Sequence, residues 1–391
     1  MQEKVESDVQ ANRHIPALDG VRGFAAAMVF VYHYGGGAQS SSLPVRLIGS
    51  LTHFGWAGVS LFFVLSGFLI SGILWDGFQR PDWWQRFYLR RSLRIFPLYY
   101  LALLIAAIVW LATGVRDLTP MLLYVFYLGD VPYFAHQFES MTLSTPLIHF
   151  WSLAVEEQFY ILWPFMLLWC NGRRLRAKQL ILILWTLSLV FRLIMFRVHA
   201  PLDWERQFLL GRAGELLAGA YLAIAIRGAA EEKRRLFRWL PAIFIGSFLL
   251  ILAISVVSGG PDIESPLMST AGFAICSLLF ASVLGLSLQP GVLQSFFSMP
   301  LLRWLGKISY GIYVYNLLLR AGFIWITLKL GSYISSNLSY NGYMILLALV
   351  ALIGTLSLAS LSYYTYESFF LRMKDRLSNS SRTNREAVKV G

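Results

Sequence analysis

The chain has 391 residues, of which 57% are hydrophobic and only 14% are charged. Its mean hydropathy of +0.59 exceeds what one soluble core requires, so the composition excludes an ordinary water-soluble globular domain. We therefore predict an all-α, polytopic membrane protein.

Taken in chain order, ten apolar stretches approach the roughly 20 residues that a helix needs to cross a hydrocarbon core of about 30 Å. They are 17–34, 55–75, 96–113, 148–170, 179–197, 206–226, 240–258, 268–288, 308–330 and 342–366. An eleventh apolar run, LTPMLLYVFYLGD at 118–130, is shorter and contains a proline. We predict that this run is a re-entrant or interfacial segment.

The net charge of +12 and the pI of about 9.7 are also typical of nucleic-acid binding, so the placement of the charges has to decide. With the N-terminus inside, the inner segments hold 24 lysines and arginines, whereas the outer loops hold four, Arg46, Arg116, Arg197 and Arg206. This asymmetry predicts that both termini are cytoplasmic, and it attributes the basic pI to membrane topology. No nucleic-acid partner is expected.

The chain divides into a cytoplasmic tail at 1–16, a membrane domain at 17–367 and a basic, disordered cytoplasmic tail at 368–391. The first 16 residues are polar, so no cleavable signal peptide is expected. The two cysteines, Cys170 and Cys276, lie in or beside apolar stretches and indicate neither a disulfide framework nor a metal site.

The first predicted span has ionisable residues at both ends of the sequence LDGVRGFAAAMVFVYHY. On a helix with about 3.6 residues per turn, Asp19, Arg22, Ala26, Phe30 and His33 share one face, and His33 lies about 16 Å further out than Arg22. Capping by Asp19, snorkelling by Arg22 and simple packing of His33 would explain these residues without a function. A polar seam of this length instead predicts a lined cavity, because ionisable groups inside membranes are usually functional.

A basic segment, RFYLRRSLRIFPLYY at 86–100, lies just before the third span on the predicted cytoplasmic side. Topology and lipid headgroups alone explain many such segments. However, the spacing of Arg90, Arg91 and Arg94 lets two of them point into one opening and grip phosphates in forked geometry. These residues are therefore candidates for holding a phosphorylated cofactor.

The segment HFWSLAVEEQFYILWP at 149–164 places two carboxylates inside a span, where a charge costs at least about 2.5 kcal/mol. Glu156 lies on a polar helical stripe, whereas Glu157 lies on a mostly apolar one. We expect Glu156 to face a cavity and Glu157 to pair with an arginine such as Arg192 or Arg212.

Three further features predict structural roles. Gly67 and Gly72, in FFVLSGFLISG, permit close approach of another helix. Arg212 and Glu215 are spaced i, i+3 and are expected to neutralise each other. Asn316 is a polar side chain in mid-span and is expected to bond between helices.

The polar residues of the predicted spans together indicate a polar route through the membrane. No zinc spacing, phosphate-binding glycine loop, dinucleotide fingerprint or nucleophile elbow occurs in the right context, so no metal is expected. Arginines at the inner mouth, a histidine near the outer end and a glutamate nearby suit a phosphorylated carrier that stays inside while its reactive tip reaches outward. A transporter or flippase is the rival class, because a polar seam could also carry a solute.

Several blocks of the sequence, in the same order, resemble the integral-membrane acyltransferase 3 family. They are IPALDGVRGFAAAMVFVYHY (15–34), FFVLSGFLI (62–70), RFYLRRSLRIFPLYYL (86–101), HFWSLAVEEQFYILWP (149–164) and ISYGIYVYN (308–316). The resemblance implies a multi-pass protein of the bacterial cytoplasmic (inner) membrane that transfers an acyl group from cytoplasmic acyl-CoA. The implied acyl group is acetyl, and the acceptor is a hydroxyl of a cell-surface, exported or lipid-linked glycan.

The resemblance also leaves alternatives and shows departures. Some relatives acylate macrolide antibiotics instead of glycans. This chain has Asn316 where many relatives carry a histidine, so no titratable role is expected at that position. The esterase-like domain that is fused to some relatives is not expected here.

By the same resemblance, His33 corresponds to the essential membrane histidine of the family. Arg91 and Arg94 correspond to its paired arginines, which are associated with the acyl donor. Arg22 and Glu156 also fall on motif positions.

In the mechanism that this implies, Arg91 and Arg94, helped by Arg90, hold the CoA phosphates at the cytoplasmic face. His33 then acts near the thioester, either as a general base or as a covalent acyl carrier. Glu156 is expected to orient the imidazole.

Overall fold

A computed structural model describes residues 15–35, 43–114, 117–131, 147–334 and 339–373, and every regular element in these ranges is helical. The predicted all-α membrane fold is confirmed. Most of the predicted tails at 1–16 and 368–391 lie outside the described residues.

The described ranges contain fifteen α-helices, which we number in chain order. They are α1 (Pro16–Tyr34), α2 (Leu43–His53), α3 (Ala57–Gly77), α4 (Trp83–Ala112), α5 (Thr119–Val125), α6 (Trp151–Trp169), α7 (Arg174–Arg197), α8 (Asp203–Arg206), α9 (Leu209–Ala225), α10 (Ala230–Val257), α11 (Phe273–Ser287), α12 (Val292–Phe297), α13 (Pro300–Leu318), α14 (Arg320–Ile334) and α15 (Tyr340–Ser362). Short 3₁₀ or π turns precede α3, α6 and α11 and follow α15.

Seven helices among the described residues are long and apolar enough to cross a membrane, and a bent pair raises the number to eight. The seven are Ile48–Gly77, Trp83–Ala112, Arg174–Arg197, Asp203–Ala225, Ala230–Val257, Met268–Ser287 and Tyr340–Met373. Each of the ten predicted spans falls on helical residues, and the span at 308–330 falls on the bent pair α13 and α14. Helices α1 and α6 are not among the seven because their polar side chains lower the mean hydropathy. The number of ten crossings and the orientation stay predictions.

The predicted span at 308–330 is not one straight helix. It breaks at Leu319, and the axes of α13 and α14 differ by 67°. A break in apolar surroundings frees backbone carbonyls that need new donors. Tyr34 supplies one, because its hydroxyl donates to the carbonyl oxygen of Asn316.

The predicted re-entrant or interfacial segment contains the seven-residue helix α5. It is fixed against α4, since the Tyr99 hydroxyl donates to the Tyr124 carbonyl at 2.6 Å. It is also fixed against α6, because the Gln158 amide donates to Asp130 at 2.7 Å. Its depth in a membrane stays a prediction.

Glycines allow the central helices to approach until their backbones touch. A Cβ atom on Gly67 of α3 would lie 1.8 Å from the Leu216 carbonyl oxygen of α9, which confirms the predicted packing role of this glycine. Gly219 of α9 meets the Val64 carbonyl of α3 in the same way, at 1.9 Å. Gly72 instead faces the side chain of Arg227, whose guanidinium nitrogen lies 2.8 Å from the added Cβ atom.

The pair α1 and α13 is equally close. A Cβ atom on Gly306 would lie 1.9 Å from the Asp19 carbonyl oxygen, and one on Gly23 would lie 2.1 Å from the Leu302 carbonyl oxygen. The N-cap residue of α1 is Ile15, and Asp19 lies in the first turn, where its carboxylate is 3.3 Å from the Arg22 guanidinium.

The predicted pairing of Arg212 with Glu215 is confirmed, at 3.0 Å between fully buried side chains. Ser60 bridges the two, donating to Glu215 and accepting from Arg212. The predicted partners of Glu157 were wrong, because neither Arg192 nor Arg212 forms an ion pair with it among the residues that the structure describes. The i, i+3 partner on the same helix already neutralises Arg212.

The glycine contacts predict a specific loss of stability. Gly219→Ala places a methyl group against backbone atoms of α3 that cannot rotate away, so we expect a destabilisation of about 1–3 kcal/mol. The protein is heated in detergent, and fluorescence-detected size-exclusion chromatography measures the fraction that remains folded. Gly246→Ala is the matched control, because a Cβ atom there meets nothing within 4 Å. Equal thermal survival of the two variants would contradict the packing argument.

Candidate active site

Five helices, α1, α3, α4, α6 and α13, enclose what we call the central cavity, which holds about 780 Å³ of space outside protein atoms, its open end included. Its lining residues are Arg22, Val59, Phe62, Phe63, Leu65, Ser66, Leu69, Arg91, Arg94, Ile95, Ser152, Leu153, Glu156, Tyr160, Ser309, Tyr310 and Tyr313. Four of the six residues singled out from the sequence are therefore in one place: Arg22, Arg91, Arg94 and Glu156.

One end of the central cavity is polar. Glu156 accepts a hydrogen bond from the Tyr160 hydroxyl at 2.9 Å, and that hydroxyl lies 2.5 Å from Ser66 Oγ. The guanidinium of Arg91 lies over the Tyr160 ring, 5.0 Å from its centroid. Glu156 and Tyr160 are four residues apart and therefore share one face of α6, as the helical stripe predicts. This face lines the cavity.

The opposite end of the central cavity is closed by Tyr313 of α13. Its hydroxyl donates to the His149 carbonyl oxygen and lies 2.5 Å from Ser152 Oγ. Ser152 and Tyr160 are eight residues apart on α6, so the cavity extends about 12 Å along the helix axes. The cavity walls between the two ends are mainly apolar.

A second opening, the arginine pocket, adjoins the polar end of the central cavity and holds about 980 Å³ of space. Its lining residues are Ile73, Leu74, Asp76, Gly77, Arg80, Trp83, Arg86, Phe87, Arg90 and Arg91. Its one lining carboxylate, Asp76, is held in two hydrogen bonds of 2.8 and 2.6 Å by Arg227. Of the four lining guanidinium groups, that of Arg86 is paired with Asp82 at 2.6 Å. The excess of positive charge still gives this pocket the character of an anion site.

The structure separates the three arginines that the sequence places together. Of these two openings, Arg90 lines the arginine pocket, Arg94 lines the central cavity and Arg91 lines both. The reason is helical geometry: Arg90 and Arg94 are four residues apart on α4, and about 6 Å of axial rise carries them to different openings.

His33 lies outside the lining of the central cavity. Its Nδ1 is 2.9 Å from Asn316 Oδ1, and Asn316 follows Tyr313 by one helical turn. The imidazole therefore lies just beyond the closed end of the cavity. The expected partner, Glu156, is at the other end, and Asn316 takes its place.

The expected open seam along α1 between Arg22 and His33 is also absent from the described part of this helix. Ala26 and Phe30, which share that face, are buried against neighbouring helices. Small and aromatic side chains fill the interface, so the route from the arginines runs between α3, α6 and α13 instead.

Two site residues were missed or undervalued from the sequence. Tyr313 was not singled out, and Asn316 was interpreted only as a bond between helices. The available signal was their spacing, because Tyr310, Tyr313 and Asn316 follow at i, i+3 and i+6 on one face of α13.

No group of three or more histidine, cysteine, aspartate or glutamate side chains in the described ranges could hold a metal ion. The side chains gathered at the site carry guanidinium groups, carboxylates, hydroxyls and the imidazoles of His33 and His149, and the His149 ring lies 5.2 Å from that of Tyr313.

Comparison with known proteins gives consistent results. The family model described as an acyltransferase domain matches residues 15–365. Among curated relatives, YrhL of Bacillus subtilis, provisionally named a peptidoglycan O-acetyltransferase, is 30% identical over 330 residues, 78% of this chain and 49% of its own length. The peptidoglycan O-acetyltransferase OatA of Listeria monocytogenes is 28% identical, over 78% of this chain and 49% of its own length. The O-acetyltransferase OatA of Staphylococcus aureus is 26% identical, over 88% and 56%.

The chain thus spans about half the length of the curated relatives it matches. No solved structure matches it significantly. Because the family model covers most of the sequence, the resemblance seen in the motifs is confirmed, and the chain belongs to the acyltransferase 3 family of membrane proteins.

Proposed function

We propose that this protein transfers an acetyl group from acetyl-CoA, bound at the arginine pocket, to a hydroxyl of a cell-wall glycan at the opposite side of the membrane. The observation that carries the proposal is the position of Arg91. It lines both the arginine pocket and the central cavity, whose far end lies one helical turn from Asn316 and His33. The two openings thus form one path from an anion site to the contact between Tyr313 and Ser152, and the imidazole lies just beyond that contact.

Coenzyme A fits the two openings because its phosphates and its thioester are at opposite ends of a flexible arm. The guanidinium groups of Arg80, Arg90 and Arg91 would hold the phosphates in the arginine pocket, while Arg86 is paired with Asp82. The arm would enter the central cavity past Arg91 and lie between its apolar walls. This assigns Arg94 and Arg22 to the arm, not to the nucleotide.

His33 would act as the general base. Its imidazole takes the proton of the acceptor hydroxyl while the hydroxyl oxygen attacks the thioester carbonyl carbon. A carbon–oxygen bond forms, the carbon–sulfur bond breaks, and the proton passes from the imidazolium to the CoA sulfur. No net proton is gained or lost.

Glu156 has a different role from the one expected at first. It holds the Tyr160 hydroxyl at 2.9 Å and lies in the same polar end as Arg22 and Arg91. We propose that it fixes these side chains around the entry of the donor arm. Its negative charge also offsets part of their positive charge in a medium of low dielectric constant.

The names of the relatives support peptidoglycan as the acceptor class. We propose the bacterial cytoplasmic membrane as the location, which the apolar helices and the bacterial sources of the relatives support. We propose that both termini and the arginine pocket are cytoplasmic. The excess of lysine and arginine in the inner segments supports that orientation.

Replacement of His33 tests the base. We expect His33→Gln to lower transfer by about 10²–10⁴-fold, because the hydroxyl loses its proton acceptor, while acetyl-CoA binding is retained. The measurement is release of free CoA thiol by protein in nanodiscs when peptidoglycan fragments are added, together with mass spectrometry of the ester. His53→Gln is the control, since His53 is partly exposed and pairs with Asp262 at 3.5 Å. Wild-type turnover in His33→Gln would remove this residue from the mechanism, and absence of thiol release in the wild type would favour a transporter.

Replacement of the arginines tests the donor path. A charge-assisted hydrogen bond contributes about 1.5–3 kcal/mol, so Arg91→Gln should weaken acetyl-CoA binding at least about tenfold. Titration calorimetry with acetyl-CoA, and with pantetheine, which lacks the nucleotide, distinguishes the contribution of each opening to the binding affinity. We expect Arg80→Gln to affect acetyl-CoA alone. Arg238→Gln, an exposed charge on α10, is the control, and equal affinities in all variants would refute the path.

A further inference from the structure

The side chain of Asn316 has an orientation that its other bonds determine. Its Nδ2 lies 3.1 Å from the carbonyl oxygen of Ile312 and 3.1 Å from that of Tyr313. Carbonyl oxygens accept only, so the NH₂ group must point toward them and Oδ1 must point away. The reversed amide would place three oxygens together. The atom that faces His33 is therefore an acceptor.

This orientation determines the protonation of the imidazole. His33 Nδ1 lies 2.9 Å from Asn316 Oδ1, and two acceptors cannot share a hydrogen bond. Nδ1 must then carry the hydrogen in the neutral ring, and Nε2 holds the free lone pair. In a neutral histidine, a fixed hydrogen-bond partner of one ring nitrogen determines whether the other nitrogen carries a hydrogen.

The fold holds the amide firmly enough to impose this choice. Asn316 is 1% exposed and lies three residues before the break between α13 and α14. Its backbone carbonyl accepts from the hydroxyl of Tyr34, the residue next to His33. Both the side chain and the backbone of Asn316 are thus bound to the end of α1. His33 itself is only partly buried, so its ring is not enclosed as the amide is.

We propose that Asn316 is a positioning residue that keeps His33 in the tautomer protonated at Nδ1 and thereby presents Nε2 to the acceptor hydroxyl. The proposal rests on the proposed function of His33 as the base. A neutral amide orients the ring without the negative charge that would hold a proton on it. The imidazolium formed during attack therefore forms no ion pair with its orienting partner, and its proton can pass to the leaving sulfur.

The tautomer can be measured without any activity. Protein labelled with ¹⁵N-histidine, in nanodiscs at a pH where the ring is neutral, gives nitrogen resonances that distinguish protonated from unprotonated ring nitrogens. The signal of His33 is identified by its loss in His33→Gln. We expect a protonated Nδ1 and an unprotonated Nε2 in the wild type. A predominant Nε2-protonated form would overturn the proposal.

Variants of Asn316 test the link to turnover. Asn316→Leu has nearly the same shape but no acceptor, so we expect a mixture of tautomers and a fall in kcat of at least about tenfold with little change in the KM for acetyl-CoA. Asn316→Asp keeps an acceptor oxygen but adds a negative charge that holds a proton on the ring, so we expect it to retain the Nδ1-protonated tautomer without restoring the full kcat. The control is Thr327→Val on α14, which removes a buried hydroxyl whose only described bond is to the Phe323 carbonyl, at 2.7 Å.

Different results would contradict the positioning role of Asn316 and the role of His33 as the base. Wild-type kcat in Asn316→Leu, or an unchanged tautomer in that variant, would overturn the positioning role even if His33→Gln is inactive. Full activity of His33→Gln would instead overturn the proposed function, whatever tautomer the ring adopts.

Discussion

A charge inside a membrane-spanning helix costs at least about 2.5 kcal/mol, so the polar side chains of such helices must meet partners or line a cavity. This constraint organises the centre of the protein. Arg22 on α1, Arg91 and Arg94 on α4 and Glu156 on α6 cannot each face lipid, and the structure gathers all four around one opening. Hydroxyl groups from α3 and α6 complete the set, since Ser66, Tyr160 and Glu156 form one chain of hydrogen bonds. The helices that carry this chemistry are therefore held around it.

Close backbone packing fixes the relative position of α1 and α13 more precisely than the polar cluster alone could. Gly23 and Gly306 bring α1 and α13 into contact, and this contact places the last turn of α1 beside Asn316. A side chain on either glycine would separate the two helices by more than a hydrogen bond tolerates. The contact between His33 and Asn316 is thus a consequence of glycines that lie several turns away. Tyr34 strengthens this contact, because its hydroxyl donates to the Asn316 carbonyl oxygen, which the helix break has freed.

Much of this arrangement could be predicted from the sequence, and the remainder shows where pattern analysis ends. Spacing along one helix was sufficient to place Glu156 toward a cavity and to pair Arg212 with Glu215, because both depend only on helical periodicity. Partners on different helices were not predictable in the same way. Glu156 was expected beside His33, but axial position separates them, and Asn316 fills that place. The break at Leu319 was missed because neither proline nor glycine lies at that residue, and the donor that stabilises it, the hydroxyl of Tyr34, comes from α1.

The position of Tyr313 connects the fold to the chemistry. In the proposed reaction only the uncharged arm of the donor has to cross the central cavity, while its phosphates stay in the arginine pocket. The apolar walls of the cavity suit such an arm and disfavour ions. At the far end, Tyr313, Ser152 and the carbonyl of His149 form a hydrogen-bonded closure between the cavity and the imidazole. A thioester held behind this closure is kept from bulk water, and hydrolysis would otherwise compete with transfer. Because Tyr313 and Asn316 lie one turn apart on the same helix, a shift of α13 that opened the closure would also move the partner of His33. The helix that closes the central cavity is thus the same one that carries the proposed positioning residue of His33.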